Sequence, residues 1–388
     1  MNYIVISPYY PENFQQFTIE LANKGIRVLG IGQEPYEQLG PGLQNALTEY
    51  FRVDNLENLD EVKRAVAFLF YKHGPIDRIE SHNEYWLEQD AQLREQFNVF
   101  GAKPNDLKKT KFKSEMKKLF KKAGVPVVPG QVVKKLSDVD QAVKEIGLPL
   151  IAKPDNGVGA AATFKIETAA DVEHFKAEWD QETVYFFEKF VTSSEICTFD
   201  GLIDSEGNIV FSTTFDYAYT PLDLMLYKMD NSYYILKKMD PKLRAYGEAI
   251  VQAFGMRERF FHIEFFRQDG DYIAIEYNNR PAGGFTIDVY NYAHSIDLYR
   301  GYANIVVGEP FPESDVEPLF CLATSRRASS HYAYSEADLL EKYRDNFKVK
   351  KDMPAAFAEL QGDYLYMLTT PSREQMEEMI ADFGKKAE

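Results

Sequence analysis

The chain has 388 residues, 45% of them hydrophobic and 27% charged, which is too long for one hydrophobic core and excludes a disordered or collagen-like polymer. Sixty acidic against 44 basic residues give a net charge of -16, which repels phosphate backbones and anionic bilayers and excludes nucleic acid and membrane surfaces as expected partners. Cys197 and Cys321 each lie in an apolar stretch and are read as reduced core thiols rather than a disulfide framework or metal site. No apolar run approaches the roughly 18 residues of a membrane span, and the N-terminal MNYIVISPYY lacks a basic region before its apolar segment, so a cytoplasmic location is expected.

In chain order, Tyr3-Ile4-Val5-Ile6, an amphipathic stretch from Pro11 to Asn23, and Arg27 to Ile31 predict a βαβ opening. Pro11 stands where a first-turn proline would, and Gly25 where a glycine would end the helix. Helices over Glu61–Lys72 and Tyr85–Gln96 flank a short strand at Ile76–Glu80, and this alternation implies a parallel sheet with helices on its faces. Ser7 to Asn13, after the first strand, contains no glycine, so a dinucleotide fingerprint is missing. A lysine-rich run, Lys108 to Lys122, marks a domain boundary near residue 108. Two β-rich stretches follow, Val125–Val133 and Leu148–Lys153, separated by a helix over Asp138–Ile146. From Val184 onward the pattern is rich in strands, and a mixed segment follows Gly308-Glu309-Pro310.

Asp269-Gly270 between two alternating apolar runs, Phe261–Gln268 and Asp271–Asn278, is a hairpin signal. Strand alternation puts His262, Glu264 and Phe266 on one face of the first strand, and Ala274, Glu276 and Asn278 on one face of the second. A three-residue loop, Asp269–Asp271, sets Glu264 opposite Glu276, whereas a two-residue turn sends the two carboxylates to opposite faces. Opposed like charges are unfavourable unless a cation lies between them, and oxygen ligands without cysteine suit Mg²⁺ or Mn²⁺, with the Asn278 amide oxygen as a third donor.

Upstream, the apolar strand Leu148–Ala152 ends in Lys153, and the small residues from Gly157 through Gly159 to Thr163 would let backbone N–H groups close around a phosphate. An ordinary β-hairpin is the alternative reading of this piece. The β-rich run Val184–Val191, with Glu195 shortly after it, offers backbone groups to a base edge and a carboxylate to a sugar, or else forms a solvated edge strand.

Taken in order, these pieces resemble the ATP-grasp ligases over roughly residues 1 to 310. The resemblance rests on Lys113 before Gly124-Val125-Pro126-Val127-Val128-Pro129, on Ile151-Ala152-Lys153-Pro154, on Phe187-Glu188-Lys189-Phe190-Val191, and on Glu264 with Glu276-Tyr277-Asn278-Asn279-Arg280. It implies an α/β and α+β fold: an N-terminal parallel-sheet domain (1–108), a small ATP-grasp subdomain (109–187), a large subdomain with the metal site (188–310) and a C-terminal α+β extension (311–388). It implies ATP and Mg²⁺ (or Mn²⁺) as cofactors. Lys113, with Lys111 as competitor, and Lys153 would take the phosphates, helped by Gly157 and Gly159; Glu188, Lys189 and Val191 would take the adenine, and Glu195 the ribose. Glu264, Glu276 and Asn278 would hold the metal, while Arg280 and Lys153 would act on the transferring phosphoryl group. The glycine loop departs from the family pattern at Ala160 and Ala162, which removes a hydroxyl contact.

The implied reaction is ADP-forming ligation of a small acid, activated as an acyl phosphate, to an amine. Activation of bicarbonate is one alternative, and nucleotide binding without turnover is another. Substrate-side candidates are Glu84 and the Arg326-Arg327 pair, with His262, Tyr217, Tyr219 and Tyr227 as neighbours of the pocket. Small-molecule partners are expected, with room for a homodimer.

Overall fold

A computed structural model describes the chain except for residues 158–161, 194, 220–223, 225–228, 355–357, 359–360 and 388. Gly159, Ala160 and Tyr227 therefore lie outside the described residues. Three sheets follow one another along the sequence. The first is four-stranded and parallel, in the order β3-β2-β1-β4, with β1 at Asn2–Ile6, β2 at Arg27–Gly32, β3 at Glu49–Arg52 and β4 at Arg78–Glu80. The expected βαβ opening is present, and Gly25 at φ +75° ends the helix Gln15–Asn23 in a conformation that disfavours any side chain. Strand β3 and the helix Pro41–Ala46 before it are additions that the hydropathy pattern does not announce.

The second sheet is small, in the order β5-β8-β6-β7, with β5 at Gly130–Val133, β6 at Leu150–Pro154, β7 at Phe164–Ile166 and β8 at Tyr185–Lys189. The β-rich stretch from Val125 pairs only from Gly130, because Pro126 and Pro129 bring no N–H to a ladder. The third sheet has nine strands in described residues: β9 (Ile196–Ile203), β10 (Ile209–Thr213), β11 (Phe215–Tyr217), β12 (Ser232–Ile235), β13 (Arg259–Gln268), β14 (Asp271–Asn278), β15 (Phe320–Arg326), β16 (Phe347–Asp352) and β17 (Tyr364–Thr370). Its path runs β14-β13-β9-β11-β12-β15-β17-β16, so the C-terminal segment extends the large sheet.

Each sheet buries its own core, and the lysine-rich helix Lys113–Lys122 joins the core of the large sheet: Met116 and Phe120 are buried with Phe199, Phe254 and Tyr277. Charged groups fasten the N-terminal sheet to the large one. At the end of β4, Glu80 accepts from Arg259 of β13 at 2.6 Å and from Arg94 of the helix Leu87–Gln96 at 2.8 Å, all three being buried. Removing one partner of such a buried set leaves a charge uncompensated, at a cost of about 3–5 kcal/mol. Both cysteines are buried and unpaired, as expected, and burial pushes the Cys197 thiol up to about 12. No helix among the described residues is long and apolar enough to cross a membrane.

Candidate active site

The β13–β14 hairpin corrects one expectation while delivering its consequence. The loop is two residues long, not three: Gln268 pairs with Asp271, and Asp269 (φ +52°) and Gly270 (φ +74°) both adopt the left-handed conformation of a type I′ turn. That register would set Glu264 against Ile275 and send the Glu276 side chain to the other face. A β-bulge intervenes. Phe265 pairs with Ala274 and Glu264 with Glu276, so Ile275 is the extra residue, and the carboxylates face each other with His262 opposite Asn278. The backbone at the bulge is held from outside, since Ala274 donates its N–H to the Pro126 carbonyl at 2.9 Å and its carbonyl accepts from Lys117 Nζ at 3.0 Å.

The two carboxylates have different surroundings. Glu264 accepts from the Tyr217 hydroxyl at 3.1 Å and lies 3.5 Å from His262 Nε2, while His262 Nδ1 is 2.6 Å from Asp200. Burial opposes protonation of His262, but Asp200 and then Glu264 outweigh it and raise the ring to about 9. Burial also raises Glu264, and the His262 cation more than offsets it, leaving the carboxyl below its ordinary value. Glu276 is raised by burial; Lys113, 3.8 Å away, opposes this, and the facing Glu264 adds to it. Two half-buried carboxylates, one held above its ordinary range chiefly by desolvation with the facing carboxylate adding to it, form a donor set that a divalent cation suits. Among the described residues no three His, Cys, Asp or Glu side chains cluster to hold a metal, so the protein offers two carboxylates and the Asn278 amide, the sparse set with which Mg²⁺ leaves positions for phosphate oxygens.

Cations line the opposite side of a cavity of about 550 Å³ that also contains Glu264, Glu276, Asn278 and Arg280. Lys113, at the start of its helix, donates to the Gly157 carbonyl at 2.8 Å. Lys153, near the end of β6, donates to Glu188 of β8 at 2.8 Å, because the antiparallel pairing of β6 and β8 puts them on neighbouring positions. Lys117, which sequence reasoning passed over, reaches the other oxygen of Glu188 at 3.1 Å. It stands four residues beyond Lys113 on the buried face of one helix, a spacing that could have found it. Burial would raise the Glu188 carboxyl, yet Lys117 and Lys153 bring it down to about 2. Val191 lines the cavity, and Lys189 does so with its ammonium held by the Gly147 and Leu148 carbonyls at 3.3 and 2.9 Å.

Other predicted residues are placed elsewhere. Lys111 approaches Glu88 at 3.3 Å and does not line the cavity. Glu84, in the short helical turn before Leu87, accepts from Arg280 Nε at 3.0 Å and so brings the N-terminal domain to the cavity rim. Glu195 is exposed, 3.4 Å from Arg267, and is not part of the cavity wall. A carboxylate clamp at Arg326-Arg327 does not form. Arg326 is buried, with its guanidinium donating to the Phe383 and Tyr334 carbonyls at 3.0 and 2.9 Å, and Arg327 donates to the Met229 and Ala358 carbonyls. Tyr217 lines the cavity and Tyr219 does not.

A parallel N-terminal sheet, a small antiparallel sheet with paired lysines and a large sheet with facing carboxylates define a class, the ATP-grasp ligases: ADP-forming enzymes that make C–N bonds with ATP and Mg²⁺. Residues 144–288 match the family model described as an ATP-grasp domain, so the chain carries an ATP-grasp domain, and its relatives indicate an ADP-forming C–N ligase. The chain is 25% identical over 332 residues to an L-arginine-specific L-amino acid ligase of Bacillus subtilis, covering 81% of this chain and 77% of that one. A shorter match, 33% over 98 residues, joins it to the alanine–anticapsin ligase of Bacillus subtilis strain 168, covering 24% of this chain and 21% of the relative. In fold it is similar to an L-amino acid ligase from Bacillus licheniformis (TM-score 0.72, 14% identity, 98% and 97% of the two chains). It is also similar to the biotin carboxylase domain of Hydrogenobacter thermophilus 2-oxoglutarate carboxylase (TM-score 0.73, 16% identity, 98% and 89%).

Proposed function

We propose that the protein joins a small carboxylic acid or amino acid to an amine through an acyl phosphate, with ATP converted to ADP and phosphate. The observation that carries this reading is Glu264 facing Glu276 across a bulged hairpin, in one cavity with Lys113, Lys153 and Arg280. Glu264, Glu276 and Asn278 would hold the divalent ion, which when bound supplies positive charge beside the phosphate oxygens. Lys113 and Lys153 bind phosphate oxygens as point charges, and Arg280 offers a fork of donors to the transferring phosphoryl group. The acid's carboxylate oxygen attacks the γ-phosphorus in line as the bond to ADP breaks. The amine then attacks the acyl carbon, phosphate leaves with the electron pair of the C–O bond, and the amine loses a proton. Catalysis on this reading is placement and charge stabilisation.

The test is incubation with ATP, Mg²⁺ and mixed amino acids. The expected result is phosphate release together with a product whose mass is that of two substrates less one water. Absence of turnover over a broad pool of acids and amines would overturn the reading, and phosphate release dependent on bicarbonate alone would replace it with carboxyphosphate chemistry.

A further inference from the structure

Three charged groups in the nucleotide half of the cavity, two of them buried, form a closed chain that the ligation reaction does not explain. Glu188 lies between two ammonium groups, Lys153 Nζ at 2.8 Å on one oxygen and Lys117 Nζ at 3.1 Å on the other. Lys117 and Glu188 are 6% and 5% exposed, so their pairing is protected from solvent screening. Both lysines line the cavity, but Lys153, near the end of β6, is less enclosed, its side chain retaining 22% of its exposure against 7% for Lys117. Lys117 is anchored at a second point, the Ala274 carbonyl at 3.0 Å, which belongs to the bulge that aligns Glu264 with Glu276.

We propose that Lys117 is a positioning residue: it serves as the permanent counter-ion of Glu188, so that Lys153 can leave that carboxylate for an incoming phosphate. This rests on the reading of the cavity as an ATP site. A carboxylate with one cation binds it tightly in a buried setting, and withdrawing that cation would leave an uncompensated buried charge. With Lys117 fixed on the other oxygen, Glu188 remains neutralised when Lys153 transfers. Burial alone would raise the Glu188 carboxyl, whereas the two ammonium groups hold it at about 2, so it stays ionised at any working pH. On this account Lys117 touches no phosphate, and its contribution appears only for ligands that recruit Lys153.

The test compares binding of ATP and of adenosine to the whole chain by calorimetry or competition fluorescence. Lys117→Met is expected to weaken ATP by about tenfold relative to adenosine, the middle of the range seen for directly coupled groups. Adding Glu188→Gln to that variant removes the carboxylate that detains Lys153. In the double variant no carboxylate holds Lys153, and the wild-type ATP-to-adenosine ratio is expected to be recovered to within about threefold. A merely structural lysine would weaken both ligands alike, and its loss would not be suppressed by a second substitution. An unchanged ratio in Lys117→Met overturns the proposal, as does an equal loss in the single and double variants. If Lys117→Met does not fold, the double variant is compared with Glu188→Gln alone: equal ratios support the proposal and a further loss overturns it. Wild-type protein that binds adenosine and ATP equally would overturn the ATP-site reading itself, which separates the two failures.

Discussion

The small sheet and the β13–β14 hairpin face each other across one cavity and treat charge in opposite ways. In the small sheet the only cavity carboxylate among the described residues, Glu188, is closed off by two lysines at 2.8 and 3.1 Å. In the hairpin two carboxylates are set against each other, with Lys113 no nearer than 3.8 Å to one and His262 3.5 Å from the other. A satisfied ion triad organises side chains, whereas an incompletely neutralised carboxylate pair leaves binding capacity for a cation. The difference teaches which half of the cavity is already balanced and which half is completed by its ligand.

The strongest way to break the comparison is to remove one of the facing carboxylates, by Glu276→Gln. Mg²⁺-dependent phosphate release is expected to fall about 10³-fold or more, as several kcal/mol of metal-derived charge stabilisation disappears. Glu264→Gln should match this loss while circular dichroism and metal-free nucleotide binding persist; turnover within tenfold of wild type in both variants would refute the metal role. Next in size is Lys153→Met, for which the KM for ATP should rise about 10- to 100-fold, since a hydrogen bond to a charged group contributes about 1.5–3 kcal/mol. Steady-state kinetics check it, and an unchanged KM would leave Lys153 a structural partner of Glu188 only.

The acid limb of stability sharpens the same contrast. Glu188 has its carboxyl lowered in the folded protein, to about 2, so its contribution is fully present above the ordinary carboxylate value of about 4.5 and is lost as the pH falls through 2. Glu188→Gln should therefore flatten the decline in Tm between about pH 4.5 and 2. An acid limb of the same slope in both proteins would show that the triad is not closed in solution. The smallest effect is expected from Glu195→Ala, because that carboxylate is exposed beside Arg267 and off the cavity wall. The affinity for ATP should change less than about threefold, as exposed ion pairs contribute 0–1 kcal/mol; a larger loss would mean that the strand start at Ile196 moves inward when nucleotide binds.

Much of this was legible because it is local or periodic. The parallel N-terminal sheet follows from alternating strand and helix signals, and Glu264, Glu276 and Asn278 from strand alternation around a turn, whereas Lys113, and the choice of Lys153 as a phosphate lysine over an ordinary hairpin, are drawn from the resemblance to ATP-grasp ligases; the structure brings all five to one cavity. The hairpin is more instructive. Opposed carboxylates were expected from a three-residue loop, yet they arise from a two-residue turn plus a bulge at Ile275, and nothing in Ala274-Ile275-Glu276 announces a bulge. Lys117 looked like one more lysine in a basic helix until the helix packed with its Met116–Phe120 face on the large sheet. Arg326 and Arg327 looked free to clamp a carboxylate because a sequence does not say which backbone carbonyls a strand end will meet.

What the amino-acid order settles by itself is the inventory: two strands bearing acids, a strand-end lysine, a basic amphipathic helix and a sheet opening without a dinucleotide fingerprint. These depend on residue type, turn propensity and periods of two and three to four residues, which act over short stretches of chain. Folding alone decides which charges close on each other. Lys117 and Glu188 are 71 positions apart in the sequence, and Glu84 and Arg280 are separated by 196, and whether each ends as a neutral pair or an open donor depends on long-range packing that excludes water.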